Sequence, residues 1–147
     1  MNTIQIEHIL QRNLPSFLGV YARNRLPRRL NKSKAPFSIV ANTDPDNKNG
    51  QHWVAIYVDE NNIGEYYDPF GFPSIHRAFE NFMNSNCTQW TYNYVSVQHP
   101  TSTVCGQHRI FYLILRNQGH QMHEITRLLT MDRHANSSFV NDFVKTL

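Results

Sequence analysis

The chain has 147 residues, 40% of them hydrophobic, and a net charge of +3 before its eight histidines are counted. That length fits one compact domain, large enough to bury a core without disulfides or metal. Composition argues against a membrane-spanning protein, since the longest apolar run, Ile110–Leu115, falls far short of the ~20 residues a helical span requires. Two cysteines, Cys87 and Cys105, are too few for a disulfide framework, and M-N-T-I-Q-I-E-H lacks a charged region followed by an apolar run. The expectation is a reduced, intracellular setting rather than secretion.

In chain order, apolar Ile4, Ile6, Ile9 and Leu10 predict a short helix ending before Pro15. The next segment, Arg23–Lys34, carries Arg23, Arg25, Arg28, Arg29, Lys32 and Lys34 with no acidic residue among them. With Pro27 and Pro36 it reads as a loop. Such a cluster is either a solvated surface or a track for a phosphate backbone, and the second would bind DNA in a salt-dependent way.

Phe37–Asn42 predicts a buried strand, closed by the turn-rich T-D-P-D-N-K-N-G. His52–Asp59 is β-branched and aromatic, and E-N-N then suits a hairpin into a strand over Ile63–Phe70. Ser74 predicts the cap of a helix with apolar Ile75, Ala78, Phe79, Phe82 and Met83. Trp90–Gln98 alternates like a strand. From Cys105 the pattern turns helical, apolar on nearly every side through I-F-Y-L-I-L, with Gly119 as its stop. Amphipathic helices follow at Met122–Arg133 and Ser138–Leu147. Strands in the middle and helices at the C-terminal end predict an α+β fold, a central mixed sheet flanked by helices.

Cys105 at the start of a buried helix would be held rigidly, and the helix N-terminus favours its thiolate, the nucleophilic form. Gly106 would let a backbone or a substrate approach closely. A lone cysteine is also compatible with plain packing. Thiolate catalysis needs a histidine base, a group that orients it and an oxyanion donor. His52 opens a strand after the Gly-containing turn, and a hairpin would set Asp68 beside it at one sheet end. Gln98, seven positions before Cys105, ends the preceding strand, where its amide could face the oxyanion. His108, one helical turn from Cys105, is a rival base. His120 and His123 have i, i+3 spacing but no third convergent ligand, so no metal site is expected.

His52-Trp53, Asp68-Pro69-Phe70-Gly71 and Gln98 through Cys105-Gly106 together resemble the adenovirus protease (adenain) family of cysteine endopeptidases, which is related to ubiquitin-like-protein-specific proteases. The likeness reaches back to F-L-G-V-Y at Phe17–Tyr21. It implies a papain-like site in permuted order, with Cys105 as nucleophile, His52 as base and then acid, Asp68 orienting His52, and Gln98 with the Cys105 backbone N–H forming the oxyanion hole. Asp68 stands where adenovirus enzymes usually have Glu, and Gln107 and His108 where they are usually apolar. The short chain hints at a Maverick/Polinton or virophage-type member.

The resemblance further implies cleavage of viral capsid and core precursors during virion maturation at Gly-containing sites, in a narrow cleft beside Trp53. The enzyme would be a monomer in the virion and the host cell interior, without metal or small-molecule cofactor. It implies an activating peptide disulfide-bonded to Cys87, the alternative being a helix-end cysteine with no partner. DNA is an activator in the family, which bears on the basic cluster. Two rival functions stay open: a deconjugating protease for a ubiquitin-like modifier, and a non-catalytic nucleic-acid-binding core protein.

Overall fold

The computed structural model describes residues 1–49, 52–129 and 131–147. Helix α1 spans Thr3–Asn13 and opens with a reciprocal cap: Asn2 Oδ1 accepts from the Gln5 backbone N–H at 2.9 Å, and Gln5 Oε1 accepts from that of Asn2 at 2.9 Å. Strands β1 (Phe17–Ala22), β2 (Phe37–Asn42), β3 (Trp53–Val58) and β4 (Ile63–Tyr67) follow. Then come α2 (Arg77–Asn86), β5 (Gln89–Tyr92), α3 (Cys105–Asn117), α4 (Met122–Leu128) and α5 (Arg133–Lys145).

The strands form one sheet in the order β1-β2-β3-β4-β5. Its centre is antiparallel, with Val40 opposite Ala55 and Ala55 opposite Tyr67, while β1 runs parallel to β2 and β5 parallel to β4 at the edges. The α+β expectation holds. Alternation along each strand sends side chains to two apolar layers. On one face Val40, Ala55, Tyr57 and Tyr67 pack on α3 and its neighbours. On the other, Ile39, Ala41, Val54, Ile56 and Tyr66 pack on Phe79, Phe82 and Met83 of α2. Phe79 and Met83 are fully buried, each stabilising the fold by roughly 1.5–3 kcal/mol.

Helix α3 is buried from Gly106 to Arg116, and Gly119, at φ +97°, follows its end as anticipated. Polar groups also tie it to the sheet. Arg116 Nε donates to both carboxylate oxygens of Glu65 on β4, at 2.6 and 3.0 Å, and the Tyr112 hydroxyl donates to the same carboxylate at 2.9 Å. The Arg116 guanidinium stacks 4.4 Å from the Tyr57 ring centroid.

Four local expectations need correction, and one strand carried no expectation. The segment carrying F-L-G-V-Y is an edge strand, β1, missed because Gly19 breaks its register with β2. Strand β5 stops at Tyr92, not Gln98, because the Asn93 side chain turns inward to hold the Asp68 backbone. Helix α2 begins at Arg77: Ser74 Oγ donates to the His76 carbonyl rather than accepting from a helix N–H, and Ile75 is 82% exposed. Helix α5 begins earlier than Ser138, capped by Asp132, whose Oδ1 accepts from the N–H groups of His134 and Ala135. The helix expected over Met122–Arg133 is α4, which ends at Leu128; Thr130 lies outside the described residues, as does Gly50 at the end of the turn before His52.

Gly106 does permit a close approach, but by α1. A Cβ there would come within 3.0 Å of Ile6 Cδ1, so the glycine lets α1 pack beside the start of α3.

Candidate active site

The site forms where β3, β4 and α3 meet at one end of the sheet. His52 immediately precedes β3 and Asp68 immediately follows β4, so the antiparallel pairing of Ala55 with Tyr67 brings them together. His52 Nε2 lies 3.0 Å from Asp68 Oδ2. The imidazole also stacks on Phe70, with ring centroids 5.3 Å apart.

The D-P-F-G turn holds both Asp68 and the segment bearing Gln98. Asp68 Oδ1 accepts from the Phe70 N–H at 2.9 Å, and the Gly71 N–H donates to the Asp68 carbonyl at 2.7 Å. Gly71 sits at φ +77°, where a Cβ would meet the backbone of Val95 and Ser96 at 2.9 Å; any larger residue would push that segment away. The Pro69 carbonyl accepts from the N–H groups of Val97 and Gln98, at 2.8 and 3.1 Å. Buried Asn93 completes the frame, accepting from the Asp68 N–H at 2.9 Å and donating to its carbonyl at 2.6 Å. Helix α5 braces the far side: Asn136 Nδ2 donates to the Val97 carbonyl at 3.0 Å, and Ser137 Oγ lies 3.0 Å from Ser102 Oγ.

Cys105 is the first residue of α3, and Gln98 Nε2 donates to its Sγ at 3.0 Å. The thiol and the His52 imidazole are close enough that each shifts the other's pKa. With Nε2 turned to Asp68, Nδ1 is the nitrogen left for the thiol. Burial by itself would raise the thiol pKa, but the His52 hydrogen bond, the nearby Arg109 charge and the Gln98 amide bring it down to about 7. Burial likewise works against a charged His52, yet its hydrogen bonds to Asp68 and Cys105 outweigh that and raise its pKa. A substantial thiolate fraction at neutral pH follows.

Arg109, on the next turn of α3, is fully buried beneath these groups and was not singled out in the sequence. Its Nη1 donates to Gln98 Oε1 at 3.1 Å and to the Cys105 carbonyl at 2.6 Å. Its Nη2 lies 3.7 Å from Asp68 Oδ1 and 3.5 Å from His52 Nε2. A signal was present: a helix apolar on every side leaves a charged side chain no route except inward.

His108 does not belong to the site as a base. It is fully buried, and neither ring nitrogen has a partner among the described residues. Burial, helped by the Arg109 charge, lowers its pKa to about 3, so it stays neutral. A cavity of about 460 Å³ adjoins His52 and Asp68, walled by Tyr66, Phe70, Phe72 and Ile75. Trp53 is not in its wall.

Cys87 and the basic cluster lie elsewhere. Cys87 caps the C-terminal end of α2, packed over Gly64 at the start of β4, while Asp68 follows the end of that strand. Cys87 is buried, and desolvation pushes its thiol up to about 11. Arg28, Arg29 and Lys32 line a groove of about 370 Å³ beside the same end of α2. The sequence around Arg25 holds no acid, but folding brings Asp46 to it: Arg25 Nε and Asp46 Oδ2 lie 2.5 Å apart. Arg23 Nη1 contacts the His76 ring at 2.6 Å. Among the described residues no group of three or more His, Cys, Asp or Glu is placed to hold a metal.

A thiol, an imidazole, a carboxylate and a side-chain amide meet at a helix N-terminus beside a mixed sheet, in an arrangement consistent with a papain-like protease fold. The chain belongs to the adenovirus endoprotease family, whose sequence profile matches residues 17–135. No curated protein sequence matches it. Among solved structures it is similar to the ASFV pS273R protease, with TM-score 0.63 and 20% identity over 95% of this chain; it spans 65% of that protease's length. It is also similar to the central domain of the uncharacterized Lpg1148 protein from Legionella pneumophila, with TM-score 0.56, 12% identity and coverage of 99% and 96% of the two chains. At these identities the structural likeness speaks for the fold, and the family profile for the class.

Proposed function

We propose that the protein is an endopeptidase that cleaves viral capsid and core precursors at Gly-containing sites during virion maturation, with His52, Asp68, Gln98 and Cys105 as its catalytic set. The observation that carries this is geometric: the Gln98 amide lies 3.0 Å from the Cys105 sulfur and Asp68 lies 3.0 Å from His52 Nε2, an arrangement that also lowers the thiol pKa. His52 Nδ1 takes the thiol proton, and the thiolate attacks the scissile carbonyl carbon. The carbonyl oxygen becomes an oxyanion, stabilised by Gln98 Nε2–H and the Cys105 backbone N–H. Collapse breaks the C–N bond, and His52 returns its proton to the leaving amine. Water, deprotonated by the same imidazole, then hydrolyses the thioester and frees the sulfur. Asp68 keeps Nε2 occupied throughout, so Nδ1 faces the thiol.

In this reading the enzyme acts as a monomer in the virion and host cell interior, with substrate side chains entering the apolar cavity beside His52. Two regulators belong to the proposal. An activating peptide pairs with Cys87, which requires the end of α2 to open, since that sulfur is buried over Gly64. DNA binds the basic segment, most directly the groove of Arg28, Arg29 and Lys32.

The deciding assay offers purified protein a Gly-containing precursor peptide and a ubiquitin-like modifier fusion, beside Cys105→Ala. Peptide cleavage abolished in the variant is expected. Processing of the fusion alone would instead mark a deconjugating enzyme. DNA binding with no cleavage would leave a nucleic-acid-binding core protein.

A further inference from the structure

We propose that Arg109 is a positioning residue that fixes which end of the Gln98 amide faces the nucleophile and thereby builds the oxyanion donor. The inference rests on the thiol-protease reading of the site and extends it to a residue four positions along α3.

A glutamine amide has two ends of nearly equal shape and opposite hydrogen-bonding character. Turned one way, Gln98 offers an N–H pair to the sulfur and the oxyanion; turned the other, it offers an oxygen that would repel both. Guanidinium carries only donors and stays charged when buried. With Nη1 3.1 Å from Gln98 Oε1, the flipped amide would set donor against donor in a buried contact. The opposite end is marked by an acceptor, the Ser102 carbonyl, 3.2 Å from Nε2. Two contacts of opposite sign therefore specify one orientation, and it is the one that places Nε2 3.0 Å from Sγ.

Arg109 can impose this because it cannot move aside. It has no exposed surface, and the Cys105 carbonyl holds its Nη1 at 2.6 Å. The same nitrogen thus measures the distance from the backbone of the nucleophile to the amide of its partner. Its charge adds a second effect, since a cation beside the sulfur favours the thiolate.

A double-mutant cycle tests the inference with wild type, Gln98→Ala, Arg109→Met and the double variant, on the precursor peptide, with circular dichroism to check folding. Gln98→Ala is expected to lower kcat about 10²–10³-fold, the usual cost of losing one oxyanion donor. Arg109→Met is expected to lower kcat about 10–10²-fold with KM within about threefold, but less than about threefold once Gln98 is already Ala. A merely structural arginine would cost the same in both backgrounds, and that result, or an unchanged kcat, overturns the proposal. Should Arg109→Met not fold, Arg109→Lys carries the same cycle. It keeps a cation but draws back the donor, and is expected to lose about threefold to tenfold only while Gln98 is present. The pH dependence of Cys105 alkylation by iodoacetamide runs the cycle without any substrate. Its midpoint should rise by about one pH unit in Arg109→Met, and by less in the Gln98→Ala background. An unmoved midpoint overturns the inference even if the peptide is never cut. Activity surviving in Cys105→Ala would instead remove the protease reading and leave the midpoint comparison standing.

Discussion

Two arginines lie fully or nearly buried on α3, two turns apart, and they serve opposite ends. Arg116 is matched group for group: the Glu65 carboxylate accepts twice from its Nε, the His120 carbonyl accepts from Nη1, and the Tyr57 ring lies against its face. Among the described residues Arg109 has no carboxylate in hydrogen-bonding range, only Asp68 at 3.7 Å, and its Nε has no partner. The pKa values move accordingly. Glu65 outweighs burial and raises that of Arg116, while burial prevails at Arg109 and lowers it. A satisfied buried ion pair joins helix to sheet; an incompletely matched one leaves charge to act on its neighbours. The first stabilises the helix, and the second tunes what stands at its N-terminus.

The largest effect expected from this contrast is on stability, at the matched end. Glu65→Leu strands the Arg116 charge and the Tyr112 hydroxyl in the core, and should lower unfolding free energy by about 3–5 kcal/mol in urea titrations. Turnover per folded molecule should stay near wild type, because the clamp touches nothing at the site. An equal loss of turnover would dissolve the division between the two ends.

At the other end the loss should fall on rate. Gln98→Ala is expected to remove about 2.7–4 kcal/mol of transition-state stabilisation, read as kcat, with a smaller loss of unfolding free energy than Glu65→Leu. A variant that melts as early as Glu65→Leu but turns over normally when folded would make Gln98 a packing residue.

The two thiols sharpen the contrast with a smaller effect. Native protein should be alkylated at Cys105 with a midpoint near pH 7, while Cys87, held near 11, stays unmodified. Because the folded Cys105 value lies below that of a free thiol, its excess reactivity appears above pH 7 and is lost as pH falls through it. His52→Ala should raise the midpoint by one unit or more, about 1.4 kcal/mol. Equal alkylation of both cysteines would mean that the site does not activate its sulfur.

How these features stood in the sequence explains which placements could be read there. His52, Asp68 and Cys105 sit at element boundaries, where a turn signal or a change of hydrophobic period marks them. A hairpin is enough to predict that the first two meet. Gln98 was placed at the end of a strand that in fact stops at Tyr92, because alternation through Y-N-Y-V-S-V-Q says nothing of Asn93 reaching back to Asp68 across 25 residues. The same blindness to distant partners hid Asp46 from Arg25 and Glu65 from Arg116. Strand β1 was lost to the glycine that interrupts it. Arg109 left only an indirect sign, a charge on a helix with no exposed face, and its role comes entirely from what folding sets around it.

His108 offers the smallest and most specific test, because it lies beside Arg109 yet takes no part in the site. Its folded pKa is about 3, while an unfolded histidine titrates near 6.5. Between those values the unfolded chain takes up a proton that the folded chain refuses, so stability contributed by the neutral ring is present above about pH 6.5 and is lost as pH falls. The slope is up to about 1.4 kcal/mol per pH unit, reached about a unit below the unfolded pKa. His52 works in the opposite sense, since its raised pKa favours the folded state in acid. His108→Leu removes two ring nitrogens that lack partners among the described residues and should leave stability at pH 7 unchanged or higher. It should also flatten the decline between pH 6.5 and 4.5 in urea midpoints. Parallel declines in variant and wild type would mean that His108 is protonated within the fold. The cation beside it would then be screened too well to activate the sulfur either, and the contrast between the two ends of α3 would lose its electrostatic basis.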